Sequence, residues 1–246
     1  MRRGWRLKKY LISSFDESYL AKFGVAWYAS LRDIAKFDGV VMLIAFDMSG
    51  GGVALEALRS SGAAVVGVKS EADKRLQVLD LISEMQAHSE GTYAYFDIDG
   101  YFESSIDELY ERRLPGKMHV TEGSLGFLCG DNRAWSIYRD YRKFERSCSL
   151  QASFNEFAWY NKNVVALDAS WNCTESLRLP DGRKPKFFHY GRSKNLPGKI
   201  SDLPFSYERK YPESFERWSN TISGRSLHDI KNIMVQKKVE PISDMG

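Results

Sequence analysis

Two carboxylates, Asp97 and Asp99, end the run Tyr93-Ala94-Tyr95-Phe96-Asp97-Ile98-Asp99-Gly100. In an extended segment residues i and i+2 point to the same side, so both acids converge where the strand stops. Like charges that close repel unless a cation lies between them. An all-oxygen pair suits Mg²⁺ or Mn²⁺ better than Zn²⁺, and such ions keep open positions for substrate phosphates. The plainer reading is a polar turn after a strand, because Asp and Gly are common turn residues. The elements around the pair must decide between the two.

Residues 10–15 read as a first strand that ends in Ser13 and Ser14, followed by Asp16. Leu20, Phe23, Trp27, Leu31 and Ile34 recur at helical spacing, with Asp16 or Ser18 as the N-cap. The continuous apolar run 40–46 predicts a strand buried on both faces. Gly50 to Gly52 lack the Lys-Ser/Thr of a phosphate loop and read as a turn into a short helix over 53–59. A further short buried strand is expected over 63–68. A helix follows over 72–87, with Leu76, Leu79, Ile82 and Met85 on one side. The strand carrying Asp97 and Asp99 comes next.

This alternation predicts an α/β fold: one Rossmann-like domain whose mostly parallel central sheet is flanked by helices. Ligands in such sheets bind at the carboxyl ends of the strands, where Ser13, Ser14, Asp97 and Asp99 all fall. Beyond them the pattern predicts a short acidic helix over 106–113, a strand over 123–129 and a helix over 134–144. A second helix start follows over 153–161, with Ser153 and Glu156 in capping-box register. Strands are expected over 164–167 and 186–192. After Pro197 the chain reads as short helices and a tail.

The totals narrow the class. The 246 residues carry a net charge of +3, too small to argue for nucleic acid, and no basic face interleaved with aromatics tracks a helix. Cys129, Cys148 and Cys173 are odd in number and lack CxxC spacing, which reads as reduced thiols in a cytoplasmic protein. No signal peptide or membrane-spanning run is apparent. Arg2, Arg3, Arg6, Lys8 and Lys9 crowd the start of the chain. They would allow peripheral contact with an anionic membrane surface, beside the plainer reading of a solvated basic start.

Taken in order, these motifs resemble nucleotide-sugar glycosyltransferases of the GT-A fold, closest to family 8, the glycogenin and lipopolysaccharide galactosyltransferase group. The first strand followed by Asp16-Glu17-Ser18-Tyr19 resembles the family's opening. Tyr95-Phe96-Asp97-Ile98-Asp99 with Ile106-Asp107-Glu108-Leu109 resembles its metal-binding Asp-x-Asp and the helix after it. Phe154-Asn155-Glu156 through Leu167 and Trp171-Asn172 resembles its later acidic segment. His189-Tyr190-Gly191-Arg192-Ser193-Lys194-Asn195-Leu196-Pro197 resembles its late His-x-x-Gly-x-x-Lys-Pro segment. The match runs over residues 8–197. Two departures stand out: Lys194-Asn195-Leu196-Pro197 replaces the family's Lys-Pro-Trp, and Phe154-Asn155-Glu156 replaces its Asp-Gln-Asp.

The resemblance implies a metal-dependent hexosyltransferase. Its donor would be a nucleotide-diphosphate sugar, usually a UDP-sugar in the family, and its acceptor a glycan, a lipid-linked sugar or a protein. By position, Asp97, Asp99 and His189 would hold Mn²⁺ or Mg²⁺, and Lys194 would contact the diphosphate. Arg75 would steady the nucleotide or Asp97. Ser13, Ser14 and Asp16 would border the base and ribose. Glu156 would serve the acceptor side as a base or as a stabiliser of positive charge on the sugar. Residues 1–200 would form the catalytic domain and 201–246 an extension packed on it or partly flexible. Two other readings compete. One is a phosphatase of the haloacid dehalogenase type with Asp97 as nucleophile, although Tyr101 stands where Thr or Val is expected and the motif lies 97 residues in. The other is a non-catalytic protein that binds a nucleotide or a partner on the same scaffold.

Overall fold

The structure is a computed structural model. It describes residues 8–48, 53–71, 73–111, 114–121, 124–136, 138, 161–175, 179 and 183–223. A seven-stranded sheet runs in the order β3-β2-β1-β4-β7-β6-β8. Its strands are β1 (Lys8–Phe15), β2 (Val40–Phe46), β3 (Ala63–Val68), β4 (Gly91–Phe96), β6 (Met118–Thr121), β7 (Ser124–Asp131) and β8 (Val164–Leu167). The first four are mutually parallel; β7 is antiparallel to both β4 and β6, and β8 is parallel to β6. A two-stranded ribbon pairs β5 (Gly100–Phe102) with β9 (Phe187–His189). The mostly parallel sheet expected from the alternation is therefore the observed one.

Side-chain alternation along the strands builds two cores, one on each face. Leu11, Val41, Ala94, Phe96 and Phe127 face one way, toward α2 (Val25–Asp33) and α3 (Val53–Ser60). Tyr10, Ile12, Tyr93, Tyr95 and Leu128 face the other, toward α4 (Lys74–His88), Trp135 and Tyr138. Asp16 caps the helical segment that leads into α2, accepting from Tyr19 N at 3.1 Å. That segment comprises α1 (Glu17–Tyr19) and one π turn (Leu20–Gly24).

Four strand expectations change, one being the strand over 186–192, which spans only Phe187–His189 before a 3₁₀ turn takes over at Gly191. The strand over 63–68 lies at the edge of the sheet, and Val66 is 40% exposed. Its apolar content had suggested a buried strand, but at the edge of the sheet Ala64, Val66 and Gly67 are exposed. β5 and β6 were not foreseen; with three and four residues they are too short to show a period. Gly100 is a strand residue here, not a turn residue. A Cβ at that position would lie 2.4 Å from the Phe188 carbonyl oxygen, so glycine is required by the close approach of β9. The short acidic helix α5 (Asp107–Glu111) forms as expected. Of the helices over 134–144 and 153–161, only residues 134–136, 138 and 161 fall within the described residues.

Residues after Pro197 form α6 (Tyr207–Lys210) and α7 (Pro212–Ser223). Asp33, at the end of α2, accepts hydrogen bonds from Ser214, Arg217 and Trp218 of α7. Glu103, just past β5, accepts from Lys210 Nζ and from Tyr211 OH at 3.1 Å. These contacts tie α6 and α7 to α2 and to the residue after β5; residues 224–246 lie outside the described residues. Among the described residues no helix is long and apolar enough to cross a membrane.

Candidate active site

From β1 the chain builds β2 and β3 to one side, and β4 is then added on the other. The carboxyl ends of β1 and β4 therefore flank the point where strand order reverses, which is where open α/β sheets bind ligands. A cavity of about 540 Å³ opens there, and its walls include Ser14, Asp16, Tyr19, Lys74, Arg75, Asp97, Asp99 and Lys194.

β4 delivers Asp97 to this cavity on the same face as Tyr95. One Asp97 oxygen, Oδ1, accepts from the Tyr95 hydroxyl at 2.7 Å, and Oδ2 accepts from Arg75 Nη2 at 3.0 Å. Arg75 sits in the first turn of α4, whose N-cap Asp73 accepts from the Arg75 and Leu76 amides. Asp99 is only 3% exposed. Its Oδ1 lies 3.1 Å from His189 Nε2, and its Oδ2 accepts from Lys194 Nζ at 2.5 Å. The β5–β9 ribbon enforces this meeting, because Gly100 and His189 are register partners and the Tyr190 amide donates to the Asp99 carbonyl at 2.9 Å. Lys194 follows on a 3₁₀ turn (Gly191–Asn195), with its ammonium over the Tyr19 ring.

The ligand atoms of Asp97, Asp99 and His189 all lie within 4.8 Å of one another. Two carboxylates and one imidazole form a donor set that could hold a divalent cation. The electrostatics are mutual. Burial opposes ionisation of Asp99, but the His189 and Lys194 charges outweigh it and hold the carboxyl well below the usual range. Burial disfavours charge on His189, yet Asp99 raises its pKa; Lys194 is raised in the same way. Arg75 is raised by the charge of Asp97.

A pH dependence follows in the absence of metal. A histidine raised above its unfolded value of about 6.5 contributes stability that is fully present below that value and is lost as pH rises through the folded value. The difference in melting temperature between wild type and His189→Ala is therefore expected to be larger at about pH 6 than at about pH 9. A difference that is flat or grows with pH would remove the His189–Asp99 pairing.

The other expected residues sort by depth. Ser14 and Asp16 border the cavity. Ser13 does not reach it: it is 0% exposed, and its Oγ donates to the Phe96 carbonyl at 2.7 Å, tying β1 to β4. Glu156 lies outside the described residues. Lys74 and Tyr95 are two of the cavity residues that were missed. Lys74 donates to Asp16 Oδ2 at 3.0 Å and approaches Asp47, whose positive φ of 49° turns the chain at the end of β2. Burial opposes the ionised form of Asp16, but the Tyr19 amide and Lys74 outweigh it and lower its pKa. For Tyr95, its place two positions before Asp97 was the available signal.

No protein-family model matches this chain, and no curated protein is similar to it in sequence. Solved structures are similar in fold. The apo form of glycosyltransferase GlyE from Streptococcus pneumoniae TIGR4 matches with a TM-score of 0.55 and 16% identity, over 95% of this chain and 64% of that one. The bifunctional glycosyltransferase WbbM matches at 0.60 and 12%, over 94% and 52%. The galactosyltransferase LgtC, solved with donor and acceptor sugar analogs, matches at 0.54 and 16%, over 87% and 95%. The chain thus spans between half and two thirds of GlyE and WbbM, and nearly all of LgtC. At such identities the likeness is one of fold, and the fold that this chain shares with all three is that of the GT-A glycosyltransferases.

Proposed function

We propose that this chain is a metal-dependent glycosyltransferase that moves a hexose from a nucleoside-diphosphate sugar, with UDP the first candidate, to a glycan, lipid-linked or protein acceptor. The observation that carries the reading is the gathering of Asp97, Asp99 and His189 at the strand-order reversal. Three glycosyltransferases of the same fold support it.

Glycosyl transfer expels a nucleoside diphosphate, which gains negative charge as the sugar leaves. Mn²⁺ or Mg²⁺ held by Asp97, Asp99 and His189 would offset that charge by several kcal/mol. Arg75 and Tyr95 fix the Asp97 carboxylate, so little reorganisation is needed at the moment of reaction. Lys194, on its short turn beside Asp99, is within reach of the same region and would move its ammonium onto the diphosphate. Glu156 would act on the acceptor side. The buried thiols Cys129 and Cys173 support a reducing, cytoplasmic setting.

Thermal melting with UDP, GDP and CDP, each with and without Mn²⁺, tests the reading. A ligand at a hundredfold excess over its Kd adds about 2.7 kcal/mol, which at this chain length raises the melting temperature by roughly 5–10 °C. The expected result is a shift with one nucleotide that requires Mn²⁺. No shift with any of the three would sink the donor site. Transfer assays with the matching sugar nucleotides then separate an enzyme from a binding protein.

A further inference from the structure

We propose that Tyr95 fixes the direction of a hydrogen-bond chain that leaves Ser14 an acceptor toward the cavity, and that Ser14 thereby reads a ribose hydroxyl of the nucleotide. The proposal rests on the nucleotide-site reading above and adds to it which group of the ligand is recognised and how.

The argument is one of counting protons. The Tyr95 oxygen lies 2.7 Å from Asp97 Oδ1 and 3.2 Å from Ser14 Oγ. A phenol carries one proton, and an ionised carboxylate only accepts. Asp97 is paired through its other oxygen with the Arg75 guanidinium, so the Tyr95 proton points at Asp97. A tyrosine has an ordinary pKa of about 10, so at neutral pH the group is a phenol. The Ser14 contact must then be filled by the serine proton, donated to the Tyr95 oxygen. The chain runs one way: Ser14 to Tyr95 to Asp97.

Ser14 borders the cavity, and its only donor is already used. Toward a ligand it offers lone pairs alone. Phosphate oxygens and base carbonyls, which only accept, gain nothing from it, whereas a group that can donate, a hydroxyl or a base N–H, does. Tyr95 alone separates Ser14 from Asp97, the diphosphate end of the site, and the ribose is the part of a nucleotide that adjoins the diphosphate. A nucleoside diphosphate has no hydroxyl groups on carbon other than those of its ribose. Phenylalanine at position 95 would fill the same space but would leave the Ser14 proton free to turn.

The test uses whichever of UDP, GDP and CDP raises the melting temperature most, together with its 2′-deoxy and 3′-deoxy analogues. Affinities are measured by calorimetry in Mn²⁺ on wild type, Ser14→Ala and Tyr95→Phe, each checked for folding by its own melting curve. In wild type, one analogue is expected to bind about three- to ten-fold more weakly than the parent, the worth of one hydrogen bond. In Ser14→Ala the parent should fall to the level of that analogue, closing the gap. In Tyr95→Phe the gap should narrow because Ser14 can then donate as well as accept. Equal affinities in wild type, or a gap that survives in Ser14→Ala, would overturn the assignment of Ser14. A full gap in Tyr95→Phe would overturn the directional role of Tyr95. Binding of no nucleotide at all would remove the donor-site reading itself, which the parent nucleotide alone reports.

Discussion

Asp99→Ala is expected to lower the rate of sugar transfer about a thousandfold or more and to abolish the Mn²⁺-dependent part of nucleotide binding. Asp99 is the most buried of the three candidate ligands and stands at the centre of the site, with His189 on one oxygen and Lys194 on the other. A cation that offsets several kcal/mol of charge on the leaving group, at about 1.4 kcal/mol per factor of ten, is worth roughly three decades in rate. Stability should suffer less than activity. Lys194 is partly exposed and can turn toward water, and His189 can lose its proton once its partner is gone. Transfer is measured on protein shown to be folded by circular dichroism. A folded Asp99→Ala protein that keeps more than about a tenth of the wild-type rate would remove Asp99 from the metal site.

Phe96→Ala is expected to cost about 3–5 kcal/mol, or roughly 10 °C in melting temperature. The ring is 0% exposed and meets Phe127 at 4.7 Å, Phe187 at 5.0 Å and Phe102 at 5.1 Å between centroids. It thus joins β4, β7, β5 and β9 directly behind Asp97, and its carbonyl receives Ser13. Phe96→Leu keeps most of the volume and should cost about 1–1.5 kcal/mol. Thermal denaturation of both variants checks this; an alanine variant that melts within about 2 °C of wild type would mean that the cluster does not hold the sheet and ribbon together.

What could be read in the sequence was whatever repeats locally. β2 is a run of seven apolar residues, and its bounds coincide with those expected. The Asp97–Asp99 pair declared itself by its spacing. His189 came only through resemblance, because its partner lies 90 positions away. Lys74 carried no signal, since its role depends on Asp16, 58 positions earlier. Ser13 and Ser14 show what strand alternation adds. Neighbours on a strand point to opposite faces, and of these two Ser14 borders the cavity while Ser13 turns to the Phe96 carbonyl. β3 misled because an apolar composition does not distinguish an edge from a centre.

The ribbon that joins Gly100 to His189 also bears on the order of assembly. Asp97 and Asp99 belong to a sheet whose parallel half is complete within the first hundred residues, whereas their third companion arrives only with β9. As the chain leaves the ribosome, the two acids are made before His189 and Lys194. Closing so long a loop carries an entropic cost that no local contact repays, so this pairing belongs among the late folding steps. An amino-terminal half made alone would present the acidic pair without the residues that complete it. The candidate centre is therefore complete only when the β5–β9 ribbon has closed.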